Sequence, residues 1–208
     1  MKKLTAPNYT WRLCRELCRY ATKTKTKDPW KSGKNSAKLF KKEMTRLMLL
    51  EQDRRCAYCG SRLFEKRPHR DHIAPKENYV KWMFWPENLV LACFACNTDL
   101  KKTFNPVVAL GKTYRQTTFS IVHPYLDDPD DHLIFAAEGL KILISSANSS
   151  GKGQKTIDLF DLANFERAKQ RAKDMLFDDD VGHLHGRLQS LYEAAAAEIS
   201  SKQLAYKR

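Results

Sequence analysis

Two Cys-x-x-Cys pairs constrain the fold of this 208-residue chain more than any other feature of its sequence. The pairs are Cys56/Cys59 and Cys93/Cys96, and they bracket a segment rich in polar groups. Four thiolates in two tight pairs are the usual ligands of a tetrahedral structural zinc site, which leaves no coordination position open for catalysis. The sequence therefore predicts one Zn²⁺ ion that clamps a unit with too small a core to hold its own geometry.

The charge of the chain favours a polyanionic partner. The formal net charge is +13, and the isoelectric point is about 9.5. Residues 1–55 carry 16 Lys and Arg against 5 Asp and Glu, so most of the positive charge lies in this first segment. We favour contact with nucleic-acid phosphates for this segment, with a solvated basic face as the alternative.

The distribution of apolar and cysteine residues predicts a cytoplasmic protein with no membrane association. No apolar run approaches the roughly 18 residues of a membrane span, and the N-terminus lacks the apolar region of a secretory signal. Cys14 and Cys18 lie four residues apart in a helical pattern. They are predicted to pack on one helix face, with a second metal site as the alternative. Such cysteine usage fits a reducing compartment.

The N-terminal third is predicted to be helical. Apolar residues recur at helical spacing in residues 9–20 and again after Ser36, which is a candidate N-cap. The Lys-, Thr- and Ser-rich segment between these helices is broken by Pro29 and Gly33. It is predicted to be a mobile loop or one that contacts nucleic acid.

The bracketed segment predicts an α+β fold. Residues 70–75 (RDHIAP) suit a short strand or turn, and residues 87–93 (ENLVLAC) suit a second, apolar strand. A helix is then predicted from the last cysteine pair to a point before Asn105. Two strands followed by a helix around bound metal form a ββα-metal arrangement.

The C-terminal half predicts a β-hairpin and helices. Apolar runs at 133–137 and 140–145 are joined by Glu138-Gly139, which favours a hairpin. Two helices should follow, separated near Asn164, and residues 184–208 should form a last helix. A preceding acidic loop is predicted to be solvated rather than a second metal site; its members are Asp127, Asp128, Asp130 and Asp131.

The dipeptide Asp71-His72 carries the chemistry of the bracketed segment. Hydrolysis of a phosphodiester requires a hard cation at the phosphate oxygens and a base for water. A carboxylate suits Mg²⁺ or Mn²⁺, and an imidazole near neutrality suits proton abstraction. Neighbouring side chains point to opposite sides of a strand, so these two converge only if the strand bends.

The series DHIAP, ENLVL and CFACN resembles the HNH (His-Me finger) endonuclease family over about residues 50–105. The resemblance implies that His72 is the general base. It also implies that Asp71 and Asn97 hold one catalytic Mg²⁺ or Mn²⁺ ion. Asn88 would fix the loop that orients the base.

One position departs from the family pattern. Where many members have lysine three residues after the final asparagine, this chain has Leu100, followed by Lys101 and Lys102. We expect either lysine to reach a phosphate, and we also place Arg70 and His69 in the nucleic-acid-binding set. His69 could instead be a rival base or a solvent-facing side chain.

Three aromatic residues, Trp82, Phe84 and Trp85, lie between the motifs. Packing against the zinc-binding turns is the favoured prediction, because a small unit needs large side chains for its core. Stacking on nucleic-acid bases is the alternative.

The segments HPYLDDPDDHL and GKGQKTIDLF resemble the HNH nuclease subunits of Septu-type and retron-linked anti-phage systems. The resemblance implies an ATPase partner, with the C-terminal helices docking on it or on a second copy of this chain. The predicted organisation is a basic helical extension (1–52), a nuclease core (53–106) and a hairpin plus helical docking region (107–208).

These predictions combine into a metal-dependent DNA endonuclease with a zinc-stabilised ββα-metal core and a role in anti-phage defence. Two alternatives stay open. A non-catalytic zinc module would keep the four cysteines and the basic N-terminus without using Asp71, His72 and Asn97. A stand-alone restriction or homing-type nuclease would cut one DNA sequence without a partner.

Overall fold

The computed structural model describes residues 1–7, 9, 11–25, 28–63, 68–138, 141–176, 190 and 194, and it leaves out the side chains of 137, 138, 175 and 176. Helices and small antiparallel sheets are mixed, which confirms the α+β class. The chain forms two compact units, Met1–Pro129 and Asp130–Arg208. Nearly all of the predicted C-terminal helix lies outside the described residues. No helix in the described part of the chain is long and apolar enough to cross a bilayer.

Helix α1, Trp11–Lys23, confirms the predicted N-terminal helix. Its buried residues recur at helical spacing and include Cys14 and Cys18. Burial raises the pKa of the Cys14 thiol to about 12 and that of Cys18 to about 11. Both thiols therefore stay protonated at neutral pH and pack as apolar groups, as predicted.

Helix α2, Asn35–Glu51, begins two residues earlier than an N-cap at Ser36 would place it. The N-cap position belongs to Lys34, whose side chain makes no capping hydrogen bond, so the prediction for Ser36 is wrong. Ser36 lies within the first turn, where its hydroxyl is buried without a hydrogen-bond partner. The preceding segment contains an ordered turn, because the Asp28 carboxylate accepts a hydrogen bond from the Trp30 N–H.

The bracketed segment has the predicted ββα order. Strand β1, His69–His72, pairs antiparallel with β2, Leu89–Ala92, so that His69 faces Ala92 and His72 faces Leu89. A π-helix, Ala95–Lys101, follows directly. Its wider turns end at Lys102, whose φ is +48°.

Gln52, at the C-terminal end of α2, joins this helix to β2. Its side-chain amide donates to the Leu91 carbonyl and accepts from the Leu91 N–H, both at 2.8 Å. A buried glutamine thus takes the place of a neighbouring strand at β2. The two hydrogen bonds fix the position of β2 relative to the C-terminal end of α2.

A second short hairpin completes the first unit. Strands β3, Val107–Ala109, and β4, Thr118–Phe119, pair antiparallel. Between and after them the chain places Tyr114 and His123, both buried. The Asp127 carboxylate accepts a hydrogen bond from the His123 backbone N–H at 2.7 Å, so this member of the acidic loop stabilises the local turn.

The second unit is a hairpin covered by two helices. Strands β5, Leu133–Glu138, and β6, Lys141–Ser146, pair in continuous register, which confirms the predicted hairpin. Helices α3, Gly151–Leu159, and α4, Phe165–Leu176, both pack on β6. Asn164 caps α4, because its side-chain oxygen accepts from the N–H groups of Glu166 and Arg167.

Candidate active site and metal centre

The four paired cysteines converge on one point. Their Sγ atoms all lie within 4.8 Å of one another, and those of Cys59 and Cys93 are 3.8 Å apart. Zinc–sulfur bonds of about 2.3 Å in a tetrahedron place the sulfurs about 3.8 Å apart, so the cluster fits zinc. It is the only group of three or more His, Cys, Asp or Glu side chains close enough to hold a metal among the described residues.

Each cysteine pair is shaped by its own backbone. In the first turn, Gly60 has a φ of +74° and its N–H donates to the Cys56 carbonyl at 3.0 Å. In the second, the Asn97 N–H donates to the Cys93 carbonyl at 3.0 Å, at the start of the π-helix. The metal-binding turn therefore also sets where Asn97 projects.

His72, at the end of β1, is buried with a fixed tautomer. Its Nε2 lies 2.9 Å from the Met83 carbonyl, which can only accept, so Nε2 carries the proton and Nδ1 keeps a lone pair. The edge of the Trp30 indole covers the ring, with centroids 4.5 Å apart. Burial lowers the pKa of His72 to about 4, so the imidazole is neutral at pH 7 and can accept a proton.

Asn88 holds both ends of the loop that separates His72 from its partner carbonyl. Its Oδ1 accepts from the Ala74 N–H at 2.7 Å, and its Nδ2 donates to the Ala74 and Trp82 carbonyls at 3.0 and 3.2 Å. Ala74 lies two residues after His72, and Trp82 directly precedes Met83. A single buried amide therefore sets the position of the imidazole relative to its orienting carbonyl.

Two further residues extend this network. The Tyr114 hydroxyl donates to Asn88 Oδ1 at 3.0 Å, and His123 Nε2 lies 2.9 Å from the same hydroxyl. On its other side, His123 Nδ1 accepts from the Tyr125 N–H at 3.2 Å, so Nε2–H is the donor to Tyr114. The chain His123–Tyr114–Asn88 is thus fully hydrogen-bonded in the core.

Asp71 lies on the opposite face of β1 from His72. Its carboxylate accepts from the Lys101 ammonium at 3.1 Å and from the Tyr58 hydroxyl, and Lys101 also donates to the His72 carbonyl at 2.8 Å. The side chains of Lys101 and Asp71 are only 2% and 7% exposed. Burial raises the pKa of the Asp71 carboxyl, and the Lys101 ammonium opposes that shift.

Asn97 is paired with His69, which shares a strand face with Asp71. The Asn97 amide nitrogen lies 3.1 Å from His69 Nδ1, and Thr98 Oγ1 is 3.5 Å from the same atom. His69 is half-buried, and its ring contacts Phe94 edge-on. Of the three identities open for His69, a purely solvent-facing side chain does not match this position.

The structure thus distributes the predicted catalytic groups over two faces of β1. The strand keeps its register with β2 through all four residues, so no bulge interrupts the alternation of Asp71 and His72. Lys101 is buried against Asp71 rather than exposed for phosphate contact, whereas Lys102 is exposed. Arg70 is exposed and donates to Thr45 at 2.8 Å.

The aromatic residues between the motifs divide into two groups. Trp82 and Phe84 are buried, as a role in the core requires. The rings of Tyr79 and Tyr114 contact Trp82, and those of Trp30 and Phe40 contact Phe84, so packing against the zinc-binding turns stays a prediction. Trp85 is half-buried and packs against Trp11, with ring centroids 5.0 Å apart and ring planes inclined at 48°.

Sequence patterns did not identify three participants, namely Tyr58, Met83 and Tyr114. Tyr58 lies between the cysteines of the first pair, and this placement was its only signal. Met83 acts through its backbone carbonyl, which has no residue signature. Tyr114 lies 26 residues beyond the asparagine it contacts.

Comparison with known proteins agrees with this geometry. Residues 56–103 match the HNH endonuclease family model. Septu protein PtuB of Bacillus mycoides (strain KBAB4) is 28% identical over 141 residues, covering 57% of this chain and 46% of that protein. The match thus spans about half the length of that relative. No solved structure matches the chain significantly. Residues 56–103 are therefore an HNH endonuclease-type domain, the finding that supports a nuclease.

Proposed function

We propose that this chain is a divalent-metal-dependent endonuclease that hydrolyses DNA phosphodiester bonds. The observation that carries the proposal is the geometry of His72 inside the HNH-matching segment. A neutral imidazole whose Nε2–H is held by the Met83 carbonyl keeps a lone pair at Nδ1, which can accept a proton from water. Burial favours the neutral form, so the base is ready at physiological pH.

Attack by water on phosphorus is the expected step. Nδ1 of His72 takes a proton from the water, and the oxygen forms a bond to phosphorus as the bond to the 3′-oxygen breaks, leaving 5′-phosphate and 3′-hydroxyl ends. Asn88 does not touch the substrate in this scheme. It is a positioning residue, since it fixes the loop from Ala74 to Trp82.

Asp71 and Asn97 are the residues that would hold a catalytic Mg²⁺ or Mn²⁺. Carboxylate and amide oxygens are the hard donors such ions prefer. The Lys101 ammonium now pairs with Asp71, so an ion would compete with this lysine for the carboxylate. When bound, the ion would supply charge stabilisation at the phosphate and the leaving oxygen. Lys102, Arg70 and His69 are the remaining candidates for phosphate contact.

The similarity to Septu protein PtuB motivates a role in anti-phage defence with an ATPase partner. In this proposal residues 1–52 contribute basic surface, residues 53–106 cut, and residues 107–208 dock on the partner or on a second copy. The chain would then act in the cytoplasm on invading DNA. Co-purification of an ATPase subunit with the full chain would support the pairing, and its repeated absence from cells that encode one would contradict it.

Plasmid cleavage tests the catalytic proposal. With Mg²⁺ or Mn²⁺ and the partner present, wild type should cut supercoiled DNA and His72→Ala should lose at least about a hundredfold in rate, the usual contribution of a general base. Thr103→Ala, at an exposed position of the same segment, is the control and should cut normally. Equal cleavage by wild type and His72→Ala would remove His72 as the base, and no cleavage by either would favour the non-catalytic zinc module.

A further inference from the structure

We propose that a cleft beside α1 holds an unpaired stretch of a nucleic-acid strand, away from the cutting site. The cleft has a volume of about 420 Å³ and is lined by α1 and by the aromatic residues around Val80–Trp82. Pockets for drug-sized ligands measure about 300–1,000 Å³, so one nucleotide unit fits. The inference rests on the proposed nuclease function, because it names the form of nucleic acid that the nuclease engages.

Aromatic side chains form the apolar lining of the cleft. Trp82 is buried and meets the Tyr114 ring edge-on, with centroids 4.9 Å apart. Trp85 is half-buried, and its indole N–H donates to Glu87 at 3.1 Å. Trp11 packs against Trp85 at 5.0 Å. Trp85 is therefore held in one orientation and keeps part of its surface accessible.

Cations lie around this lining. Arg15 and Arg19 are one turn apart on α1 and exposed, and Lys81 lies 4.6 Å above the Trp82 ring. No Asp or Glu lines the cleft among the described residues. In the same part of the chain, neither Arg15 nor Arg19 forms an ion pair. Two unneutralised guanidinium groups beside an aromatic surface favour an anionic ligand that also carries a flat ring.

A nucleotide unit within a single strand has both properties. Phosphates suit the guanidinium and ammonium groups, and an unpaired base can stack on an indole, whatever its identity. A fully paired duplex would present phosphates to the cations but would leave the aromatic lining unused, because its bases are stacked inside. The combination therefore favours unpaired strand.

The cleft shares residues with the framework of the catalytic base. The Trp82 carbonyl accepts from Asn88, and the next residue, Met83, supplies the carbonyl that orients His72. Tyr114 lines the cleft and donates to the same Asn88. A strand in the cleft would thus contact the side chains that fix the base, which links binding there to the geometry of cutting.

Anisotropy of a labelled oligothymidylate, titrated with the full chain without added Mg²⁺, tests the proposal. Arg15→Gln/Arg19→Gln should weaken binding and lower the slope of log K against log salt by about 1.4, the value for two lost phosphate contacts on a single strand. Trp85→Leu should weaken binding about tenfold with little change in that slope. The matched control, Arg12→Gln/Lys23→Gln, removes the same charge from α1 outside the cleft.

Equal losses in the Arg15/Arg19 variant and in its control would overturn the proposal, since binding would then follow net charge alone. Unchanged oligonucleotide binding by Trp85→Leu would also overturn the proposal. So would a protein that binds free thymidine monophosphate but does not bind the oligothymidylate. His72→Ala should bind the oligonucleotide like wild type. A protein that binds in this pattern but never cuts would contradict the proposed function and leave the strand site standing.

Discussion

At the residue scale, one buried amide determines the geometry around the candidate base. Asn88 has no exposed surface, and its side chain makes four hydrogen bonds, two as acceptor and two as donor. At this size, only an amide supplies two N–H donors together with an oxygen that can accept twice. Asparagine is therefore required both to donate to the Ala74 and Trp82 carbonyls and to accept from the Ala74 N–H and the Tyr114 hydroxyl.

Asn88→Ala should lower the free energy of unfolding by about 3 kcal/mol, because it leaves several buried groups without partners. Asn88→Asp should also be destabilising, since a carboxylate cannot donate to the Ala74 and Trp82 carbonyls. Tyr114→Phe removes only the hydroxyl and should cost about 1 kcal/mol. Urea denaturation monitored by tryptophan fluorescence measures all three, and a loss below about 1 kcal/mol for Asn88→Ala would contradict this account.

The Asp71–Lys101 pair is a second residue-scale determinant. Lys101→Met should lower the free energy of unfolding by about 3 kcal/mol, because it leaves a buried carboxylate without its cation. Adding Asp71→Asn should recover part of that loss. Because Lys101 occupies Asp71, Mn²⁺ should also raise the melting temperature of Lys101→Met more than that of wild type.

Lys102→Met is the control for this series. Lys102 is adjacent to Lys101 and exposed, so this variant should change the free energy of unfolding by no more than about 0.5 kcal/mol. Equal Mn²⁺ shifts in wild type and Lys101→Met would show that the lysine does not compete for the metal ligand.

At the element scale, the cysteine turns connect the hairpin to the π-helix. The first turn lies between α2 and β1, and the second runs from the end of β2 into the π-helix, so one ion would connect these elements. The elements are only four to seven residues long. Elements this short do not hold a fixed arrangement without a cross-link.

The purified chain should contain one zinc per molecule after dialysis, as measured by elemental mass spectrometry. Cys93→Ser should lose that zinc together with solubility and activity, because only three thiolates remain. Cys14→Ser should keep one zinc, since this thiol is buried in α1 and stays protonated. Iron in place of zinc, or zinc retained by Cys93→Ser, would count against the four-cysteine site.

At the scale of the whole molecule, the two compact units differ in composition. Every motif that implies chemistry lies in Met1–Pro129, together with the cleft and the basic N-terminus. The unit from Asp130 onward has its own buried residues, including Leu133, Ile144 and Phe160. Each unit thus has a hydrophobic core of its own.

A fragment of residues 1–129 should therefore fold alone. It should retain one zinc and melt cooperatively when followed by circular dichroism. It should also bind the oligonucleotide with the affinity of the full chain but fail to retain an ATPase partner, because most of the proposed docking region, residues 130–208, is missing. An insoluble or zinc-free fragment would show that the units depend on each other for folding.

The sequence alone predicted the four clustered cysteines, the ββα order and both helical pairs, because these depend on local spacing. Two cysteines three residues apart must form one turn, and apolar periodicity fixes which face of α1 is buried. The position of Asn88 in the motif also predicted its structural role, although that role awaits its test. The prediction failed at the start of α2, where the N-cap is Lys34 and not Ser36. Helix caps are set by one or two residues, so local signals place them poorly.

Only the tertiary structure decided which groups meet across long stretches of chain. Lys101 lies 30 residues from Asp71, Tyr114 lies 26 from Asn88, and Gln52 lies 39 from Leu91. No local pattern records such pairs, because they depend on how the elements close around the core. The same closure places Arg15 and Arg19 beside Trp85. The sequence thus supplied the chemical groups, and packing decided their partners.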